Sequence, residues 1–294
     1  MQFTGERYVP SEDGKIRLEH YHRYAIATSL VKDKKVLDIA CGEGYGSFFI
    51  AKFAKDVVGV DVSHETITHA NQKYKSHNLS FQQGSAIDLA FPDHSFDVVI
   101  SFETIEHLAQ QEEMISELRR VLKPEGCLII SSPNRPVYSE ESGEHNEFHV
   151  KELDFNEFDA LLKTQFSSIQ YYGQRMLMGS AIHPLSNNNS DTYDAWIDDG
   201  LEVKRGMSDA GDFVYFIAVC NQKGYEAMSF SPSIQFPKKL DLIKHYVSFA
   251  KWAKNQDLHV AQLQKALADK NVELAKILKK NNYVHFLKNL FKKK

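Results

Sequence analysis

Glu103, Glu106 and His107 lie within the seven-residue stretch FETIEHL and bring two carboxylates and an imidazole close together in the chain. Such a set can take a proton from a hydroxyl group near neutral pH, because imidazole ionises in that range and a neighbouring carboxylate can orient it. The four-residue spacing of Glu103 and His107 predicts a shared helical face. Two later histidines, His145 and His149, stand in HNEFHV at 145–150. With them a second chemistry opens, since carboxylates and imidazoles together can hold Mg²⁺ or a softer divalent ion and lower the pKa of a bound hydroxyl. Glu106, His107 and His149 are the acid–base candidates. Glu103, Glu106, His107 and His149 are the metal candidates, and metal-free acid–base work is the favoured of the two readings.

Positioning those groups requires a frame, and the apolar pattern predicts one. Strands are expected near 35–40, 57–61, 79–83, 96–102, 126–132, 167–174 and 212–220, with helices near 18–31, 46–54, 64–76, 110–123 and 151–163. Alternation of this kind predicts an α/β fold with a mostly parallel sheet and helices on both faces. The last two strands have no helix between them and are expected to pair antiparallel. Ligands of such a sheet bind beyond the carboxyl ends of its strands. The FETIEHL stretch follows the fourth strand and therefore falls there. So do two long connections, Ser132–Val150 and Met176–Gly211, expected to form a lid or acceptor pocket, with a mobile tip at SNNNSD.

The first strand leads into VLDIACGEGYG at 36–46, and the second, VVGVD, ends in Asp61. Gly42, Gly44 and Gly46 let the backbone turn sharply and approach a ligand, while Asp61 offers acceptors to ribose hydroxyls. With Asp38 inside the strand and the tight Gly-Glu-Gly spacing, this stretch resembles the first motif of class I S-adenosylmethionine-dependent methyltransferases. The similarity continues through GSAIDLAFPDHSFDVVISFETIEHL and GCLIISSPN and covers most of residues 18–220. It implies a Rossmann-like fold with a seven-stranded sheet and S-adenosylmethionine as cofactor. The implied cofactor residues are Ala40, Gly42, Gly44, Asp61, Val62 and Phe102, with Ser85, Ala86 and Ile87 receiving the adenine. Ala40 stands where the family often has glycine, and is expected to keep ordinary backbone angles. Arg23 and Tyr21, on the helix entering the first strand, are expected either to reach the cofactor or to pack on the sheet.

The resemblance also bears on the acceptor. TGERYVP, LEHYHRYAIA, SSPNRPVYSEE and NEFHVKEL are similar to segments of bacterial methyltransferases from surface-glycan gene clusters, which implies O-methylation of a sugar hydroxyl, or of a sugar-linked phosphate, in a glycan or sugar-nucleotide acceptor of a surface polysaccharide or its precursor. The ExxEH pattern with its later histidine is similar to the metal-binding pattern of small-RNA 2′-O-methyltransferases, and also to small-molecule methyltransferases that use no metal. An RNA ribose methyltransferase and a non-catalytic scaffold are therefore the alternatives.

Charge helps to order them. The chain of 294 residues has a net charge of −4, but residues 251–294 carry +8 and residues 1–250 carry −12. An acidic domain argues against broad nucleic-acid binding, which needs clustered Lys and Arg. Residues 1–225 are expected to form the methyltransferase domain with an N-terminal lid helix, and 238–294 a helical tail. In that tail Val260, Leu263, Leu267, Leu274 and Ile277 form a short coiled-coil-like seam interrupted by Lys270 and Asn281. The end, where Val284, Phe286, Leu287, Leu290 and Phe291 mix with Lys288 and Lys292–Lys294, is expected to contact a membrane surface, a glycosyltransferase complex or another acidic partner, and a homo-oligomer is a further expectation.

Met1–Pro10 lacks a signal-peptide pattern and no apolar run is long enough to span a bilayer, so the expected location is the cytoplasm, with peripheral attachment at the inner face of the membrane. Cys41, Cys127 and Cys220 form no ligand-like pair and are expected to be buried thiols. Of the thirteen histidines, His20, His64, His69, His77, His94, His245, His259 and His285 are expected at surface or packing positions.

Overall fold

The computed structural model describes residues 15–141, 146–176, 180–184, 196–198, 203–205, 213–225, 228–231, 233–235, 251–256, 259–260, 262–272 and 274–276. The chain divides into two compact units, Met1–Pro237 and Lys238–Lys294.

In the first unit α1 (Lys15–Val31) leads into β1 (Lys35–Ile39), and four further elements alternate: α2 (Tyr45–Ile50), β2 (Asp56–Asp61), α3 (His64–Lys73) and β3 (Leu79–Gln83). After β4 (Phe96–Ser101) come α4 (Gln111–Val121), β5 (Leu122–Pro133), α5 (Phe155–Lys163) and β6 (Ser168–Met176). Then follow β7 (Ser180–Pro184), a separate hairpin of β8 (Trp196–Asp198) and β9 (Val203–Arg205), β10 (Tyr215–Asn221) and β11 (Ser233–Gln235). The main sheet runs β11-β7-β6-β10-β5-β4-β1-β2-β3. Strands β5, β4, β1, β2 and β3 are parallel to one another, and β10 inserts antiparallel between β5 and β6.

This contains the expected Rossmann-like, seven-stranded arrangement, including the antiparallel pair. Four strands were not expected, β7 and β11 of the main sheet and the separate β8–β9 hairpin. β7 pairs antiparallel with β6 from Tyr172↔Pro184 to Met176↔Ser180, and β11 pairs antiparallel with β7. The Met176–Gly211 segment, read from its polar composition as one long connection, thus contributes strand β7, which lies between β6 and β11, and a hairpin. Its SNNNSD stretch lies outside the described residues.

The central strands are apolar on both faces, and side-chain alternation sends successive residues to opposite layers. Val98 and Ile100 of β4 join Ile129 of β5 and Ile217 and Val219 of β10 in one core. α1 and α2 cover that core with Tyr24, Ala27, Val31 and Ile50. Val99, Leu128, Ile130, Phe216 and Ala218 point the other way, under Met114, Ile115 and Leu118 of α4 and Phe158 and Leu162 of α5. The i, i+1, i+4 spacing of the α4 residues gives that helix the single apolar stripe it buries. Helix starts are fixed locally: Ser63 caps α3 by accepting from the Thr66 N–H, and Asp154 with Glu157 forms a reciprocal capping box on α5. All three cysteines are free and buried.

In the second unit residues 251–256 and 262–272 are helical, and Val260, Leu263, Leu267 and Leu274 are each at least 50% exposed. Ile277, Asn281 and the apolar and lysine-rich end from Val284 to Lys294 lie outside the described residues, as do Met1–Pro10, His245 and His285. Among the described residues no helix is long and apolar enough to cross a membrane.

Candidate active site

A cavity of about 430 Å³ opens at the carboxyl ends of β1, β2 and β4. Its floor on one side is Ala40, Cys41 and Gly42, the first part of the glycine turn. Ala40, Gly42 and Gly44 all have left-handed backbone, with φ of 54°, 54° and 91°. The expectation of ordinary angles for Ala40 is therefore wrong: three left-handed residues at alternate positions fold the strand back toward the helix, and Ala40 must share that curvature despite its Cβ. Gly42 has nothing within 4 Å of where a Cβ would stand, so its backbone faces open cavity. Gly44 does not line the cavity. A Cβ there would lie 2.7 Å from the Phe81 ring, so its role is to let α2 start against α3 and β3.

Asp61 clasps this turn from the end of β2. Its Oδ2 accepts from the Gly42 N–H at 3.0 Å and its Oδ1 from the Ser63 N–H at 2.9 Å. Asp61 also lines the cavity, so its carboxylate faces any ligand held there. Val62, 70% exposed, and Ser85, Ala86 and Phe102 line the same cavity. Ile87 does not; its half-buried side chain packs against the core cluster that includes Val99, Leu128 and Met114. Asp38 also lies off the cavity, wholly buried between Ser47 Oγ at 2.6 Å and the Tyr24 hydroxyl at 3.2 Å. Burial pushes its carboxyl up to about 7 against those two hydrogen bonds.

The other side of the cavity is built from the end of β4. Glu103 takes a left-handed φ of 49° and Ile105–His107 is a 3₁₀ turn, so Glu103 and His107 do not share a helical face as their spacing predicted. Ser131 on β5 holds the kink: its hydroxyl accepts from the Glu103 N–H at 3.1 Å and donates to the Glu103 carboxylate at 2.6 Å. Glu106 is 1% exposed, and its Oε2 has no hydrogen-bond partner among the described residues. Burial, and then the charge of Glu103, hold its carboxyl well above the usual range.

His107 and His149 meet edge to face with ring centroids 5.0 Å apart. Nδ1 of His107 lies 2.9 Å from the Phe148 carbonyl, which can only accept. Nδ1 must therefore carry the proton, and Nε2 is the basic nitrogen of the neutral ring. Nδ1 of His149 bonds the Glu152 carboxylate, and its Nε2 accepts from the Asn146 amide at 2.9 Å. That amide's orientation is set by its oxygen, which accepts from the Phe148 N–H at 3.1 Å. One ligand atom from each of Glu106, His107 and His149 lies within 4.8 Å of the others. Glu103 lines the cavity but stands outside this group. His145 lies outside the described residues.

Sequence spacing did not reveal the aromatic wall. His20, expected at a surface or packing position, lines the cavity and bonds the Tyr45 hydroxyl at 2.8 Å, while burial, then Arg23, keeps it well below its ordinary pKa. Tyr24, Tyr138, Phe148 and Tyr215 complete that wall. Burial, then Glu103, pushes the Tyr138 hydroxyl up to about 12, so it remains a donor at neutral pH. Arg23 sits behind the wall, fully buried, donating to Gln174 at 2.8 Å and lying over the Tyr215 ring. Tyr21 packs on Tyr45 and Phe49, and neither it nor Arg23 lines the cavity. Among the described residues no Lys or Arg does.

Comparison with known proteins agrees with the fold. A solved S-adenosylmethionine-dependent methyltransferase of Thermotoga maritima shares the Rossmann-like fold, with a TM-score of 0.51 at 18% identity over 70% of this chain and 90% of that one. Residues 37–130 match the family model described as a methyltransferase domain. The chain thus carries a class I S-adenosylmethionine-dependent methyltransferase domain, and S-adenosylmethionine is that domain's cofactor. It is 36% identical over 167 residues to a protein of Mycolicibacterium smegmatis described as a probable S-adenosylmethionine-dependent methyltransferase. A protein of Mycobacterium tuberculosis with the same description is 34% identical over 169 residues. These matches cover 56% and 55% of this chain and 64% and 60% of the relatives, less than two thirds of their length.

Proposed function

We propose that the protein is an S-adenosylmethionine-dependent O-methyltransferase whose acceptor is a sugar hydroxyl of a bacterial surface polysaccharide or its precursor. The observation that carries this reading is the basic Nε2 of His107 in the cavity that Gly42 and Asp61 also line. In the reaction the acceptor oxygen forms a bond to the methyl carbon as the carbon–sulfur bond of the sulfonium breaks, and the hydroxyl proton goes to His107. Holding donor and acceptor in line lowers the barrier through orientation, and a positioned base adds about 10²–10⁴-fold.

Aromatic rings and acceptor-rich carboxylates suit a neutral polyhydroxylated acceptor. The absence of Lys and Arg from the described lining favours a neutral hydroxyl over a sugar-linked phosphate, and weighs against an RNA ribose. The intact turn geometry at Gly42 and Asp61 weighs against a non-catalytic scaffold. Incubation with methyl-labelled cofactor and a panel of synthetic glycan termini tests the reading. Label in a glycan is expected, whereas label only in RNA or a small non-sugar metabolite would overturn the acceptor class.

A further inference from the structure

The structure assigns a divalent-cation site to Glu106, His107 and His149, a deepening of the proposed reaction that rests on it for the chemistry served. Three independent features meet there. First, the ligand atoms already lie within 4.8 Å of one another, so small side-chain rotations bring them onto one ion. Second, both imidazoles are anchored through Nδ1, His107 to the Phe148 carbonyl and His149 to the Glu152 carboxylate. Ligating histidines are usually fixed in this way, and it makes Nε2 the coordinating nitrogen of each. Third, Glu106 Oε1 lies 3.9 Å from His107 Nε2, and the other oxygen of this buried carboxyl, Oε2, has no partner among the described residues, so the group lacks the compensation that an ion bound to it would give.

Two imidazoles and one carboxylate favour Mn²⁺, Fe²⁺, Co²⁺ or Zn²⁺ over Ca²⁺, which prefers oxygen alone. Three protein ligands leave coordination positions for the acceptor. The Asn146 amide, now bonded to His149 Nε2, must swing away as the ion arrives. With the ion in place His107 is a ligand instead of the base. An ion there would lower the pKa of an acceptor hydroxyl, whose proton would pass to Glu103, the other carboxylate of this end of the cavity, while the methyl carbon–sulfur bond breaks as the carbon–oxygen bond forms.

Cobalt(II) titration of the chelator-stripped full chain tests this directly, read by visible d–d absorption and calorimetry, with S-adenosylmethionine binding measured in parallel. One equivalent of Co²⁺ is expected. His107→Ala and His149→Ala should each weaken uptake at least about 100-fold, and Glu152→Gln about 10–100-fold, as loss of an outer-sphere partner does. Asn146→Ala should bind Co²⁺ as tightly as the parent or more so, which guards against a general folding defect. Cofactor binding without stoichiometric Co²⁺ uptake, or uptake unchanged in both histidine variants, overturns the site while leaving the proposed reaction standing. Stoichiometric uptake lost in both histidine variants, with no cofactor binding, supports the site and sinks the methyl-transfer reading.

Discussion

His107 Nδ1 points at the Phe148 carbonyl, 2.9 Å away and 41 residues later in the chain. That bond selects the tautomer, and it joins the turn after β4 to the segment that carries His149. Backbone bonds from Val150 and Lys151 to the Glu106 carbonyl, at 2.8 and 3.0 Å, tie the same two segments together. The pair of histidines is therefore held by main-chain contacts that do not depend on a ligand.

In chelator-stripped protein, where His107 is the base, replacing it with alanine is expected to lower kcat about 10²–10⁴-fold, the range for a positioned proton acceptor, and to leave cofactor affinity within about twofold. Steady-state rates with calorimetric S-adenosylmethionine titration separate the two. Full turnover by a folded His107→Ala protein would remove His107 from the reaction.

Asp61→Asn should act on the donor instead. The substitution replaces one carboxylate oxygen by an amide that donates, so one of the N–H groups of Gly42 and Ser63 meets a donor, and a charged acceptor for ribose is lost. Hydrogen bonds to charged groups contribute about 1.5–3 kcal/mol, which predicts cofactor binding weaker by roughly 10–150-fold. Unchanged affinity by calorimetry would show that Asp61 serves the turn and not the ligand.

Much of this was legible in local pattern. The alternating apolar strands and the α4 stripe come from neighbours in sequence, and so does the Gly42–Asp61 pairing of turn and strand end. What escaped depends on residues far apart in the chain. Glu103 leaves its helical spacing because Ser131, 28 positions later, holds its backbone N–H and carboxylate together. His20 and Tyr215 reach the cavity from the two ends of the domain sequence, and no periodicity marks them. Strand β7 lay hidden because a five-residue strand beside polar sequence has too few alternations to distinguish it from a loop. Ala40 was misjudged from its residue type, which carries no trace of the left-handed angle its neighbours impose.

That angle makes a stability prediction. An alanine at φ of 54° pays a steric cost that glycine avoids. Ala40→Gly is expected to raise unfolding free energy by about 1 kcal/mol, since the relief of roughly 1–2 kcal/mol is partly offset by glycine's greater freedom in the unfolded chain. Gly46→Ala should do the opposite, because its Cβ would fall 2.0 Å from the Tyr24 ring, and a loss of about 1–3 kcal/mol is expected. Urea denaturation of both variants checks the signs, and a destabilised Ala40→Gly protein would contradict the strain at residue 40.

Asp38 predicts a pH dependence of the opposite sense to the usual carboxylate. Burial raises its folded-state pKa to about 7, above the roughly 3.9 of an unfolded aspartate, so between those values the folded chain holds a proton that the unfolded chain has released. Its contribution is most favourable below about pH 4 and declines as pH rises toward 7, where the slope ends. His22, which burial and then Arg23 hold at about 4, tilts stability the other way between roughly 6.5 and 4. The difference between parent and Asp38→Asn is therefore the informative quantity, because the His22 contribution cancels in it. Asparagine keeps a group able to accept from Ser47 and Tyr24 without a charge to bury, so the parent's advantage over the variant should shrink steadily from pH 4 to 7. Urea unfolding of both proteins at half-unit steps measures it, and a constant difference across that window would mean that Asp38 ionises alike in the folded and unfolded chains.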